Sequence, residues 1–525
     1  MNASRILALS LVVLLVAAAA MAQNINNTGT FTNTGTASYN NFTNAASGTV
    51  TNTGTLRIRG TLTNSAVDAN FDTEAGTLNY YGLNSPQTII SNIKNNKYGN
   101  LGAMRGGTKS LGGNVTVGTA VTVNNLTGTG TVLAVGTKYL TLQGTGTPIN
   151  IVSGTVSSSA TGTIDYAGGA ATVASGFDYG NLVFSTAAGN RTFQAGTTGI
   201  TGGFTISAGA ADARTNATTI DYKGTGAQNV AAIDYNNLSF STSGTKSFAA
   251  GTTRINGSLT IGGTAAADAR TNTSTVEYDG TAQNIAAINY YNVTLANSGT
   301  KTFASGTTKV SNTFDITGTA VPNLTANSTV FEYDGASQSV RGGVTYYDFV
   351  TSNSGTKTLT GGNLTISNNF DNGGAGNNAV TLNVGTSTLT LGGGTSDNTN
   401  GTIQFAGATN GLAFGTGTVE YNAAALAQTV TAGTYAKLTL TGGGTATPKS
   451  ILASMTTTDL VTVNSDAKLI VNANPVSFGT SLGSGNSLVN AGTLEVQAAG
   501  NLTVTADVSN SGTITNAGTI TVGAE

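Results

Sequence analysis

Residues 219–248 read TIDYKGTGAQNVAAIDYNNLSFSTSGTKSF, and residues 275–303 read TVEYDGTAQNIAAINYYNVTLANSGTKTF, the same string one period later. Internal repetition constrains a whole architecture, so it is read before secondary structure. The segment ending at Tyr222 aligns with those ending at Tyr166, Tyr278, Tyr333 and Tyr421, which are spaced 56, 56, 55 and 88 residues, and an earlier copy ends at Tyr80, 86 residues before Tyr166. A glutamine follows in most copies (Gln87, Gln228, Gln283, Gln338, Gln428), then a second tyrosine (Tyr98, Tyr179, Tyr235, Tyr291, Tyr347, Tyr435), then Gly-x-basic-x-apolar, as in Gly244 to Phe248.

A finer period lies inside each copy. Tyr278, Ile285, Val293 and Leu295 are echoed by Phe303, Val310, Phe314 and Ile316, so a copy reads as two units of about 28 residues. The longer gaps exceed 56 by 30 and 32 residues, about one extra unit each, and hold the additional apolar pairs Leu140 with Leu142 and Ile403 with Phe405. Apolar residues come in short alternating pieces separated by Gly, Asn, Ser and Thr, which is strand patterning with turn punctuation. Helical spacing does not occur after the leader. Three short strands per unit assemble as an all-β parallel β-helix, or β-solenoid, of roughly 20 coils after an N-terminal signal peptide, each strand pairing with its equivalent one coil on. In that arrangement Tyr166, Phe193, Tyr222, Phe248, Tyr278, Phe303, Tyr333 and Leu359 form one internal ladder. A ring recurring in every coil is more simply core than a sugar platform. Gly, Asn and Thr are expected at corners and on outer faces.

The ends use a shorter unit. Asn33-Thr-Gly-Thr36 and Asn52-Thr-Gly-Thr55 are 19 residues apart, and Gly492 and Gly512 are separated by 20. The resulting organisation is a signal peptide over 1–22, a short-coil solenoid over 23–76, a central β-helix of 55–56-residue double-coil repeats over 77–454, and a second short-coil solenoid over 455–525. Met1 to Ala22 carries Arg5, an apolar run from Ile6 to Ala20 and small residues at Ala20 and Ala22, the pattern a signal peptidase cleaves, here before Gln23. The run is too short for a membrane anchor, and no later segment is apolar enough to span. Short-coil sequence without a capping helix at both termini leads us to expect head-to-tail stacking of the chain on itself.

Composition narrows the chemistry. Only 8% of the 525 residues are charged, and the chain has 72 Gly but no His, Cys or Trp. Thiol and imidazole catalysis, disulfides and His or Cys metal sites are therefore excluded, and a formal charge of −2 gives no field for nucleic acid. Enzymes on β-helices need acid and base clustered at one place. Here Asp165, Asp221, Glu277, Glu332 and Glu420 obey the repeat instead of breaking it, and read as a solvated row beside the tyrosines. The duplicated strings from Ala211 to Asn216 and from Ala267 to Asn272 read as a lengthened corner with a local ion pair. No catalytic, cofactor-binding or metal residue is assigned, no cofactor is expected, and the chain is read as a non-enzyme. Alternation places Lys246, Lys301 and Lys357 on the side of Phe248, Phe303 and Leu359. Ammonium groups in a dry core are costly, so these lysines are expected at corners or, less favoured, with the stem snorkelling outward.

The pattern apolar, acid, Tyr, Asp, Gly, then Gln, an Asn-Val strand and Ser-Gly-Thr-Lys-Thr-Phe resembles the repeats of large secreted bacterial surface proteins, the β-helical adhesins and autotransporter passenger domains, over roughly residues 77 to 454. The resemblance implies a secreted or bacterial cell-surface protein with a structural or adhesive role and no catalytic residue. Its partners are then itself, stacked head to tail, or a cell-surface or extracellular polysaccharide. Two other functions are carried alongside: a carbohydrate-binding or polysaccharide-degrading β-helix, and ice binding by Thr rows such as Thr127 to Thr131.

Overall fold

The computed structural model describes residues 23–185, 189–372, 380–392, 403–405, 411–413, 416–472, 475–480 and 485–523. The expected leader, 1–22, lies outside the described residues, as do the side chains of Ile403 and Phe405. The chain is all-β, 58% strand, wound as a parallel β-solenoid of about 22 turns. Among the described residues, helix is confined to single 3-10 turns at Asp68–Asn70 and Lys94–Asn96. Two compact units are distinguished, Met1–Ala249 with Thr253–Ala267, and Ala250–Thr252 with Asp268–Glu525.

In the first unit one turn consists of Thr218–Tyr222, Gln228–Val230 and Asp234–Tyr235. Each strand pairs in parallel with its successor one turn on: Thr219 with Asn237, Gln228 with Lys246, Asp234 with Arg254. The strands are short because Gly and Asn interrupt them, and their alternate residues point inward. That inward set is the core, in which Leu238, Phe240, Phe248 and Ile255 are fully enclosed.

The turn is shorter than the 28-residue unit expected from the sequence. Following paired residues inward gives the columns Tyr98, Val117, Leu142, Tyr166 and Tyr179, Ile200, Tyr222 in the first unit. The second unit has Tyr290, Val310, Tyr333 and Tyr346, Ile366, Leu391, Tyr421. Neighbours in a column differ by 19–25 residues, except for 30 between Leu391 and Tyr421. Tyr166, Tyr222, Tyr333 and Tyr421, each the first tyrosine of its copy, thus stand in the column of the preceding copy's second tyrosine. Each is reached in two steps within a 55–56-residue period and three within the 86- and 88-residue gaps, so the extra residues do form one further turn.

The 56-residue repeat is therefore not a whole number of turns. Eight described strands separate the start of Thr163–Tyr166 from that of Thr218–Tyr222, which is two and two-thirds turns at three strands each. The expected single ladder is overturned for this reason: its 25–30-residue steps advance one and one-third turns, so successive members fall on different faces. Tyr166 packs against Phe184 at 6.1 Å, while Phe193 pairs with Val173. All eight members of the series are nonetheless buried, so their core role stands.

The short turns at the ends are as expected, with Thr30 on Thr49, Thr36 on Thr55 and Thr493 on Thr513. Their asparagines differ from expectation, because they line the interior. Asn33 donates to Asn52 at 2.7 Å and Asn44 to Asn64 at 2.9 Å, all four buried. A side-chain amide both donates and accepts, so a stack of asparagines satisfies itself without water.

Candidate functional site

The chemistry-bearing side chains converge inside the turns, in a cluster rebuilt in six copies. Its first part is a tyrosine pair. Tyr222 Oη lies 3.0 Å from Tyr235 Oη, and the same contact joins Tyr80 to Tyr98, Tyr166 to Tyr179, Tyr278 to Tyr290, Tyr333 to Tyr346 and Tyr421 to Tyr435 at 2.8–3.2 Å. The expected partners Tyr291 and Tyr347 are corrected to Tyr290 and Tyr346, which point inward while their neighbours face partly outward. Spacing did not carry that signal: Tyr291 stands 13 residues from Tyr278, the same as Tyr235 from Tyr222, whereas the actual partners Tyr290 and Tyr346 stand 12 and 13 residues from theirs. Burial pushes the first tyrosines up, to about 12 at Tyr166, Tyr222 and Tyr278, and the second ones well above their usual value. All twelve phenols are neutral hydrogen-bonding groups at physiological pH.

The second part is a glutamine clamp. Gln228 accepts from the Gly224 N–H at 2.9 Å and donates to the carbonyls of Ile200 at 3.0 Å and Gly202 at 2.6 Å, one turn back. Gln87 and Gln338 repeat this arrangement, and Gln428 bonds Ala423 N–H and Leu391 O. The third part is a cation stacked on that glutamine. Lys109, Lys246, Lys301, Lys357 and Lys449 pair with the five glutamines, and Arg191 pairs with Ala171 in the copy that lacks one.

All six cations are fully buried within strands, so the expectation of lysines at corners or snorkelling outward is overturned. The cause is a ring of main-chain acceptors that sequence does not display. Lys246 Nζ donates to the carbonyls of Gly224 at 2.6 Å, Gly226 at 3.0 Å and Ser243 at 2.8 Å. Lys109 likewise reaches Gly82, Ser85 and Gly106, and Arg191 reaches Tyr166, Gly168 and Gly189. Desolvating an ammonium costs several kcal/mol, about what a full set of charge-assisted hydrogen bonds returns. Burial still pulls Lys109, Lys357 and Lys449 down to about 8. Lys109, Lys449 and Arg191 were not singled out in the sequence, although Gly107 to Leu111 and Gly189 to Phe193 fit the Gly-x-basic-x-apolar pattern; for Lys449 the available signal was Gln428, 21 residues upstream.

The acids are not gathered into a site. Asp165 and Asp221 are buried, and each accepts from a serine one turn on, Ser185 Oγ at 2.6 Å and Ser241 Oγ at 2.7 Å. Glu332 bonds Ser352 and pairs with Lys309 at 2.7 Å, and Glu420 accepts from Thr441 at 2.9 Å. Glu277 is half-buried on the outward side of Thr275–Tyr278. A solvated row is thus corrected to separate carboxylates, displaced from one another by the fractional repeat. The duplicated corners hold their acid by main chain: Asp212 accepts from the N–H groups of Arg214 at 2.9 Å and Thr215 at 3.0 Å, and Asp268 from those of Arg270 and Thr271. The arginines reach onward, Arg214 to Asp234 at 3.9 Å and Arg270 to Asp334 at 2.6 Å. Among the described residues no group of three acids could hold a metal ion, and no helix is long and apolar enough to cross a membrane. Comparison with protein-family models, with curated proteins and with solved structures gives no match to this chain.

Proposed function

We propose that the chain is a secreted or cell-surface structural and adhesive β-solenoid. The observation that carries this reading is the use made of its reactive side chains. Twelve tyrosines, five lysines and Arg191 are consumed inside the turns in bonds to one another and to the chain's own main chain. What faces outward is mainly Thr, Asn, Ser and Gly, a low-charge surface suited to holding other surfaces instead of transforming small molecules. The leader pattern before Gln23 and the adhesin-like repeats support export. End-to-end self-association belongs to the same reading. Labelling of intact cells with an impermeant reagent, followed by attachment assays on a deletion strain, tests it. Labelled protein and reduced attachment are expected; protein confined to the cytoplasm with attachment unchanged overturns the reading. New reducing ends or unsaturated products from acidic polysaccharides would establish the degrading alternative, and thermal hysteresis the ice-binding one.

A further inference from the structure

Cations outside the cluster sort into two classes. Of the 20 basic residues after Arg5, six are buried on main-chain carbonyls, and ten stand in ion pairs. Among the described residues four remain without an acidic partner: Arg57, Arg59, Arg105 and Lys138. Three of these four meet at one place. The guanidinium carbons of Arg57 and Arg105 lie 5.3 and 4.9 Å from the centre of the Tyr81 ring, from the turns before and after the one that carries Tyr81. The pairing of Ile58 with Tyr80 sets the exposed Arg59 beside Tyr81.

This place breaks the repeat. The residue after the first tyrosine is Ala167, Lys223, Asp279, Asp334 or Asn422 in the other copies, and aromatic only here. Arg57 Nε is enclosed without a hydrogen-bond partner, and Arg105 takes a left-handed φ of 65°, unusual for a long side chain. The surrounding field has the matching sign. Residues 23–164 hold seven basic and three acidic residues, +4, whereas 165–525 hold 13 and 20, −7. Two of the three acids, Asp72 and Glu74, are already taken by Lys94 and Lys97.

The geometry points to a binding site for an acidic polysaccharide of the uronic-acid type, deepening the adhesive reading by naming the chemistry of the partner. Guanidinium forks match carboxylates, and the half-exposed Tyr81 offers a ring edge to a sugar. The flanks decide between polyanions. Asn40, exposed in the adjoining strand, and Asn84 and Thr127, exposed at the adjoining corners, supply amides and a hydroxyl instead of more cations. That suits a uronate, whose carboxylate is flanked by ring hydroxyls that amides and a hydroxyl can bond, whereas polyphosphate offers charge with no hydroxyls and an oligonucleotide offers few.

Binding of the purified full chain to polygalacturonate at low salt, read by affinity electrophoresis and calorimetry, tests the site. Methyl-esterified polygalacturonate, polyphosphate and a single-stranded oligonucleotide are run in parallel. The expected result is binding to the free acid, lost on esterification, and reduced about tenfold or more by Arg59→Gln with Arg105→Asn. Asn tolerates the left-handed backbone at 105, so an unchanged circular dichroism spectrum keeps a weaker affinity interpretable. Lys223→Gln, which removes a cation paired with Asp178, leaves binding unchanged. No binding, equal binding to the ester, tighter binding to polyphosphate or oligonucleotide, or indifference to the double variant each overturns the site. Cell labelling reads location and this assay reads the patch, so either can fail alone.

Discussion

Tyr222 and Tyr235 are joined oxygen to oxygen at 3.0 Å, and together they serve a single corner residue: the Ala231 N–H donates to Tyr222 at 2.9 Å and the Ala231 carbonyl accepts from Tyr235 at 2.8 Å. The direction of every proton follows. Tyr235 gives its hydrogen to the carbonyl, so Tyr222 must be the donor between the phenols. The same closed circuit surrounds Ile90, Ala174, Ala286, Arg341 and Thr431.

Removing one hydroxyl breaks the circuit at a known group. Tyr222→Phe strands the Ala231 N–H and is expected to cost ~1–3 kcal/mol. The double variant with Tyr235→Phe costs less than the two single losses added, because they share one network. Hydrogen exchange at Ala231 reads the loss locally, which suits a repeat protein whose global unfolding need not be two-state.

Alkaline pH acts on the cluster twice, with opposite signs. Lys109, Lys357 and Lys449 titrate near 8 when folded and near their usual 10.5 when unfolded. The unfolded chain thus binds more protons between those values, and stability rises with pH across that interval. Tyrosines are raised above 10.0, to about 12 at Tyr166, Tyr222 and Tyr278, so their contribution is held below pH 10 and lost as pH climbs through 12. Melting followed from pH 7.5 to 12 is expected to peak around pH 9–10 and then fall as tyrosinate absorbance appears; a steady decline from pH 8 contradicts the lysine assignment.

Arg191 and Ala171 form a matched exception to the Gln–Lys stack. Arg191→Lys alone shortens the reach to the Tyr166 and Gly168 carbonyls and is expected to destabilise by ~1–3 kcal/mol. Adding Ala171→Gln rebuilds the combination present in the other five copies and recovers part of the loss. Denaturation of the three proteins measures the coupling, and strictly additive effects contradict it.

Gly244 and Gly299 turn the chain into the lysine strand with φ of 78° and 77°, and a Cβ would stand 2.4 Å from the Gly226 oxygen and 1.9 Å from the Thr281 oxygen. Alanine at either is expected to cost more than about 1 kcal/mol from backbone conformation alone. Gly226, with open space around its Cβ position, accepts alanine within ~0.5 kcal/mol. Thermal melts of the three variants compare them directly.

Much of this was legible in the sequence. Alternation around Tyr222 and Leu238, with Gly and Asn between, gave parallel coils and an aromatic core, and both hold. The length of a turn was hidden, because Tyr166 and Phe193 look equivalent in sequence yet occupy different faces. The choice of Tyr290 over Tyr291 depends on where a corner falls, a parity that alternation alone leaves open. Lys246 was misplaced for a different reason. The inward-turned carbonyls of Gly224 and Gly226 that make its burial tolerable are main-chain features, invisible to residue type.

Sequence period and structural period run here like the two scales of a vernier. A segment of two and two-thirds turns, when duplicated, shifts its twin by a third of a revolution, and three duplications restore the original heading. Such a gene can lengthen by unequal crossing-over without lining up identical side chains in one file. It gains a safeguard against slipped pairing between neighbouring copies, since a strand offset by one copy meets the wrong face.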